Sequence, residues 1–280
     1  MGSGDFYFST GSQNDSVSSL GSFGEAIAFS IDPEGVIYVL DGATNTLKKL
    51  SNTGDSVAQI GGYGWAELAF DQPADVFTPN GLDVYVADYG NHRIQRFDRN
   101  LNFGSSLSLR DNENVSQRFG YPQSVALSRQ GALFIVDGEN TRILKVSSDR
   151  TVERVFGGLD AGKGRLNAPK RVRVDNNDRV YVQDGNHLVM FDVFGNYIRT
   201  IGKNIFRQLK TFTIDQYLLY ILDSCAIYIL HPNGTIGNRI DFSSTDDDMD
   251  DCPAVDLAVF NKKLFLLTEH HIYILNLERE

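Results

Sequence analysis

"VYVADYGNHRIQRFD", residues 84–98, places Asp88, His92 and Arg93 within six positions of one another. Such a trio would suit a catalytic cluster, and it would equally suit one copy of a repeated structural unit. The rest of the chain favours the repeat. "VYVAD" returns as "IYVLD" (37–41), "LFIVD" (133–137), "VYVQD" (180–184) and "LYILD" (219–223), and once more as "LFLLT" (264–268), where Thr268 replaces the Asp. Successive copies begin 47, 49, 47, 39 and 45 residues apart, a spacing typical of propeller blades.

Each copy has the same neighbours. An alternating apolar segment precedes it: "AIAFSID", "ADVFTPN", "SVALSRQ", "RVRVDNN", "TFTIDQY" and "VDLAVFN". A short Gly- or Asn-bearing turn joins the two. A polar loop and a third strand follow, for example "RIQRFD" and "RILKVS", and a fourth closes the unit, for example "TVERVFG" and "NYIRTIG". Strand composition and turn spacing fit four-stranded antiparallel units, and no segment carries a helical period. The expected fold is all-β, a six-bladed β-propeller of strands a to d, with a innermost. The blades fall at about 23–62, 71–110, 121–157, 169–202, 208–242 and 253–280. The last lacks a fourth strand, and "DFYFSTG" (5–11) matches the pattern of "NYIRTIG". The N-terminal strand is therefore expected to complete blade 6 and close the ring, which removes two sheet edges.

The segment "FDQPADVFTPNGLDVYVADYGNHRIQRFD" (70–98) resembles an NHL repeat. Blade 3, "FGYPQSVALSRQGALFIVDGENTRILKVS", and blade 4, from "LNAPKRVRVD", match less completely, and blades 1, 5 and 6 have drifted further. The resemblance implies the six-bladed fold. It leaves function open, because NHL propellers include enzymes, sensors, RNA binders and scaffolds.

The net charge of −10 opposes non-specific binding to nucleic acid or to anionic membranes. No apolar run reaches the length of a membrane span, and Met1-Gly2-Ser3 lacks the basic and apolar regions of a signal peptide.

Asp41, Asp88, Asp137, Asp184 and Asp223 hold equivalent places at the end of strand b, and five copies point to a structural role. A short carboxylate there is expected to accept N–H bonds across the b–c turn. His92, His187 and His271, with His270 beside the last, all fall in b–c loops, but on separate blades and out of alignment, which disfavours a metal tripod.

Function is expected on the face shared by the b–c loops and the longer, varied d–a connectors. Tyr63 and Trp65 lie in a Gly-rich connector, as interface anchors or as packing between blades 1 and 2. A basic group, Lys163, Arg165, Lys170, Arg171, Arg173, Lys203, Arg207 and Lys210, gathers at the entries to blades 4 and 5. It is either a solvated face or, where Lys170, Arg171 and Arg173 turn inward, a site for a small anion. Asp246, Asp247, Asp248, Asp250 and Asp251 form an acidic run, a Ca²⁺ site or simply a charged loop. Cys225 and Cys252 fall on the same face in adjacent blades and are disulfide candidates, which would imply an extracellular or periplasmic setting. These features favour a non-enzymatic, protein-binding or scaffold propeller. A metal-dependent lyase or hydrolase on the axis and RNA binding through the basic group are the alternatives.

Overall fold

The computed structural model describes residues 6–9, 18–224, 226–244 and 253–277. Six antiparallel sheets are arranged as blades around an axis. The inner strands are Ala26–Ile31, Pro73–Phe77, Pro122–Leu127, Pro169–Val174, Leu209–Asp215 and Ala254–Phe260. Strands b are buried on both faces, as in Ile37–Asp41 and Val180–Asp184, so they read as continuous apolar runs. Outer strands such as Ser56–Gly61 alternate toward solvent. Short 3₁₀ turns interrupt the connectors at Val115–Gln117 and Gly162–Gly164. Among the described residues no helix is long and apolar enough to cross a membrane.

The core is divided among the gaps between blades. Phe70, Val76 and Phe97 of blade 2 pack with Tyr38, Leu40 and Leu47 of blade 1. Equivalent clusters fill each following gap, and Phe265 and Leu267 of blade 6 meet Phe29 and Val39 of blade 1. Burial of these large side chains, each contributing about 1.5–3 kcal/mol, therefore holds blade to blade around the ring.

The N-terminal segment closes the ring, but with different residues from those the sequence suggests. Ser18–Leu20 supplies the fourth strand of blade 6 and pairs with Ile272–Ile274. Phe6–Ser9 instead pairs with Asp241–Ser244, adding a fifth strand outside blade 5. The outer strand of blade 5, Ile236–Ser244, is nine residues long and offers an edge beyond its own blade. An alternating apolar segment satisfies either edge, and Phe23, buried between blades 6 and 1 with Leu20 packed against the same cluster, holds Ser18–Leu20 beside blade 6.

Every inner strand has a register shift near its start: between Ala26 and Ala28, Pro73 and Asp75, Pro122 and Ser124, Pro169 and Arg171, Leu209 and Thr211, and Ala254 and Asp256. A bulge of this kind re-aims the side chain that follows it.

Candidate functional site

The side chains after four of these bulges, Asp75, Arg171, Thr211 and Asp256, converge on one another with Arg173, and Ser124 joins through Asp75 and Arg173. Arg171 Nη2 donates to Asp256 Oδ2 at 2.7 Å and to Asp75 Oδ1 at 3.3 Å. Its Nη1 reaches Asp256 and the Thr211 hydroxyl. Arg173 grips Asp75 with both terminal nitrogens, at 2.9 and 3.0 Å. The Ser124 hydroxyl donates to Asp75, and Asp256 also accepts from Phe29 N at 3.1 Å. A single network thus draws a group from every blade. Desolvation alone would push the Asp75 carboxyl up. Arg173 and Arg171, with the Ser124 hydroxyl, outweigh it and hold it below the ordinary carboxylate value. Burial works against the charge on Arg171, and Asp256 and Asp75 override it, so the guanidinium stays charged. Buried ions of this kind persist only when paired and hydrogen-bonded.

This corrects the expected anion site. Arg171 and Arg173 do turn to the axis, but their charge is matched by two carboxylates, and no open cationic ring results. The same carboxylates are spent on the guanidinium groups, and among the described residues no group of three His, Cys, Asp or Glu stands ready for a metal. Lys170, Lys163, Arg165, Lys203 and Arg207 are exposed on the connector face, with Lys210 half-buried beside Ala254 O.

The five repeated Asp residues are structural, but they reach further than the b–c turn. Asp88 accepts from Asp71 N, Asp137 from Gly120 N, Asp41 from Gly24 N and Glu25 N, Asp184 from Asn167 N and Ala168 N, and Asp223 from Arg207 N and Gln208 N. All of these donors lie in the preceding d–a connector. Only Thr268 of blade 6 stays within its own turn, with His271. There His270 Nδ1 and His271 Nδ1 lie 3.3 and 2.9 Å from Phe23 O and Gly21 O, tying down the closing segment. His92 Nδ1 accepts from Tyr121 N at 3.1 Å, a role for the neutral ring. Burial and the nearby Arg110 lower its pKa accordingly. His187 lies 3.6 Å from Asp184. The histidines therefore occupy separate structural posts.

Blade 2 anchors its connector most heavily. Arg93 donates to Asp88 at 2.7 Å and to the carbonyls of Trp65, Ala66 and Ala69. Asn91 Nδ2 donates to Gly64 O and to Asp88. The loop backbone is pinned while its aromatic side chains stand free. Trp65 is 71% exposed and Tyr63 67%, edge to face with centroids 6.0 Å apart. Trp65 does not pack between blades 1 and 2. Leu68 and Tyr121 extend the exposed apolar surface on this face.

A second feature, absent from the sequence-based expectations, is a cavity of about 850 Å³ opening on the opposite face. Residues of five of the six a–b turns line it, blade 6 contributes Leu257, Ala258, Val259 and Phe260 of its inner strand, and Arg171 and Arg173 form part of its floor. Its inner wall is the next layer of the inner strands, where Ser30, Phe77, Arg173, Thr213 and Ala258 stand. The available signal was in strand a. Phe29, Val76, Val125, Val172, Phe212 and Leu257 are uniformly apolar, whereas the alternate positions vary in chemistry. Cys225, Cys252 and Asp246, Asp247, Asp248, Asp250 and Asp251 lie outside the described residues.

Fold and site define a six-bladed β-propeller whose b–c loops clamp its connectors. The NHL repeat model matches residues 70–97, the blade 2 clamp with Asp88, Asn91 and Arg93. The chain thus carries an NHL repeat in blade 2 of its six-bladed propeller. It is 28% identical over 151 residues to protein brain tumor of Drosophila melanogaster, covering 51% of this chain and 14% of that protein. It is 26% identical over 176 residues to NHL repeat-containing protein 3 of Homo sapiens, covering 56% of this chain and 49% of that one. The chain thus spans less than half of either relative. Among solved structures, virginiamycin B lyase from Staphylococcus aureus superposes with a TM-score of 0.61, over 92% of this chain and 98% of that one, at 10% identity. At that identity the likeness is one of fold.

Proposed function

We propose that this propeller is a non-enzymatic protein-binding scaffold that meets its partner through the face of d–a connectors and b–c loops. The observation that carries the reading is Trp65: a large, freely exposed side chain on a backbone fixed by Arg93 and Asn91. Aromatics presented this way make effective interface anchors, because little ordering is left for binding to impose. Lys163, Arg165, Lys170, Lys203 and Arg207 flank the same face on a chain of net charge −10, so the partner is a protein with an acidic, apolar-tipped surface. An exported setting, with Cys225 and Cys252 joined, belongs to the proposal. Thiol titration of the unfolded, unreduced protein tests it, and two free thiols would remove its basis.

The main test is capture of binding proteins with the wild-type chain and with Trp65→Ala and Lys203→Glu/Arg207→Glu variants of unchanged melting temperature. Loss of the same captured partner in both variants supports the assignment. Retention of every partner overturns it, as would tight, salt-sensitive binding of single-stranded RNA through the basic residues.

A further inference from the structure

The cavity on the a–b face serves none of the purposes proposed for the connector face. At about 850 Å³ it lies within the roughly 300–1,000 Å³ of small-molecule sites. Its walls hold donors and acceptors side by side. Arg173 presents its guanidinium at the floor with Nε outside the Asp75 ion pair, and it stacks on Phe77 with 5.2 Å to the ring centroid. The Thr213 hydroxyl, half-buried on the adjoining blade, makes no hydrogen bond among the described residues, and Asp215 beside it has no cation paired with it among them. The Ser30 and Thr78 hydroxyls share a hydrogen bond at 2.7 Å and Ser30 Oγ also accepts from Thr78 N at 3.1 Å, which leaves one hydroxyl proton to donate on the opposite wall. Phe260 adds an aromatic side chain between the blades of Asp215 and Ser30.

These groups select among ligand classes. At the floor a simple anion would meet two guanidinium groups already neutralised by Asp75 and Asp256 and would face the carboxylate of Asp215, while Arg129 and Arg150, which have no ion pair among the described residues, stand at the solvent-exposed rim. An aliphatic ligand would strip water from Arg173, Thr213 and Asp215 without replacing it, which penalises each polar group left unsatisfied. A neutral molecule rich in hydroxyls both donates and accepts, so it answers Arg173 and Asp215 together, and its ring carbons can lie against Phe77 or Phe260. The geometry points to the axial cavity as a binding site for a neutral polyhydroxylated small molecule of mono- or disaccharide size. This site lies across the propeller from Trp65 and is independent of the proposed protein interface.

The test uses the full chain with glucose, galactose, N-acetylglucosamine and maltose as probes and citrate as the anionic control, read by saturation-transfer NMR and calorimetry. At least one sugar is expected to bind saturably, and Thr213→Val and Asp215→Asn should each weaken it about tenfold or more while the fold stays intact. Trp65→Ala should leave sugar binding unchanged. The inference is overturned if no sugar binds, if citrate binds in place of the sugars, or if sugar binding survives both cavity substitutions.

Discussion

Asp75 and Asp215 are both carboxylates of inner strands close to the axis, yet their proton affinities move in opposite directions. Asp75 is fully enclosed and gripped by Arg173 and Arg171, so its carboxyl falls below the ordinary value. Asp215 is only partly buried, but burial acts on it without a cation in opposition, and its carboxyl is raised. Pairing, rather than depth, decides the sign. The floor of the axis is chemically complete, whereas the wall above it keeps unspent hydrogen-bonding capacity. Stability belongs to the first region and the capacity to bind belongs to the second.

The sharpest way to break this comparison is Arg171→Met. It removes the group common to Asp75 and Asp256 and leaves an uncompensated carboxylate, and it should cost about 3–5 kcal/mol in urea unfolding. Asp88→Ala should cost about 3 kcal/mol, because Arg93, Asn91 and Asp71 N all lose their acceptor. Asp223→Ala, which loses two backbone donors, should cost about half as much. Acid unfolding reads the floor directly. Asp75 has a folded pKa below its unfolded value near 3.9, so its contribution is complete above that pH and disappears as pH falls through the folded value. Asp75→Asn should therefore flatten the loss of stability below about pH 4, measured as melting temperature against pH. Asp215→Asn should do the reverse on a smaller scale. The folded pKa is raised, so the ionised form is disfavoured by the fold. The variant should gain a little stability at neutral pH, and the gain should vanish below about pH 4. Trp65→Ala should change stability by less than about 0.5 kcal/mol while abolishing partner capture.

The ring was legible because its strongest signals are local and repeated. An Asp at the end of every strand b but one sets the period, and Asn91 and Arg93 in blade 2 complete a clamp that fits within a dozen residues of sequence. What those Asp residues bind was less legible, because their donors sit in the connector on the far side of two strands. Of the axial network only the inward turn of Arg171 and Arg173 was legible, and their partners were not. Arg171 and Asp256 are 85 positions apart, Arg173 and Asp75 are 98 apart, and nothing local in "PKRVRV" announces which carboxylates will meet it. The placement of Phe6–Ser9 failed for a related reason: an alternating pattern specifies a strand and its faces, but not which of two neighbouring edges it joins. Trp65 was legible as a candidate, and its exposure could be settled only by the hydrogen bonds that pin its loop.

The bulge near the start of all six inner strands has a consequence for how such a protein can change. Each blade sends one residue to the floor of the axis, here Ala28, Asp75, Ser124, Arg171, Thr211 and Asp256, and each does so from a point where the ladder is already relaxed. The six positions behave as separate letters of a short word written across the ring. Any one can be rewritten without disturbing a strand pair, provided that the charges in the word still balance. A propeller of this design can therefore acquire a new axial chemistry through two or three exchanges, with its blades and its outer surface left as they were.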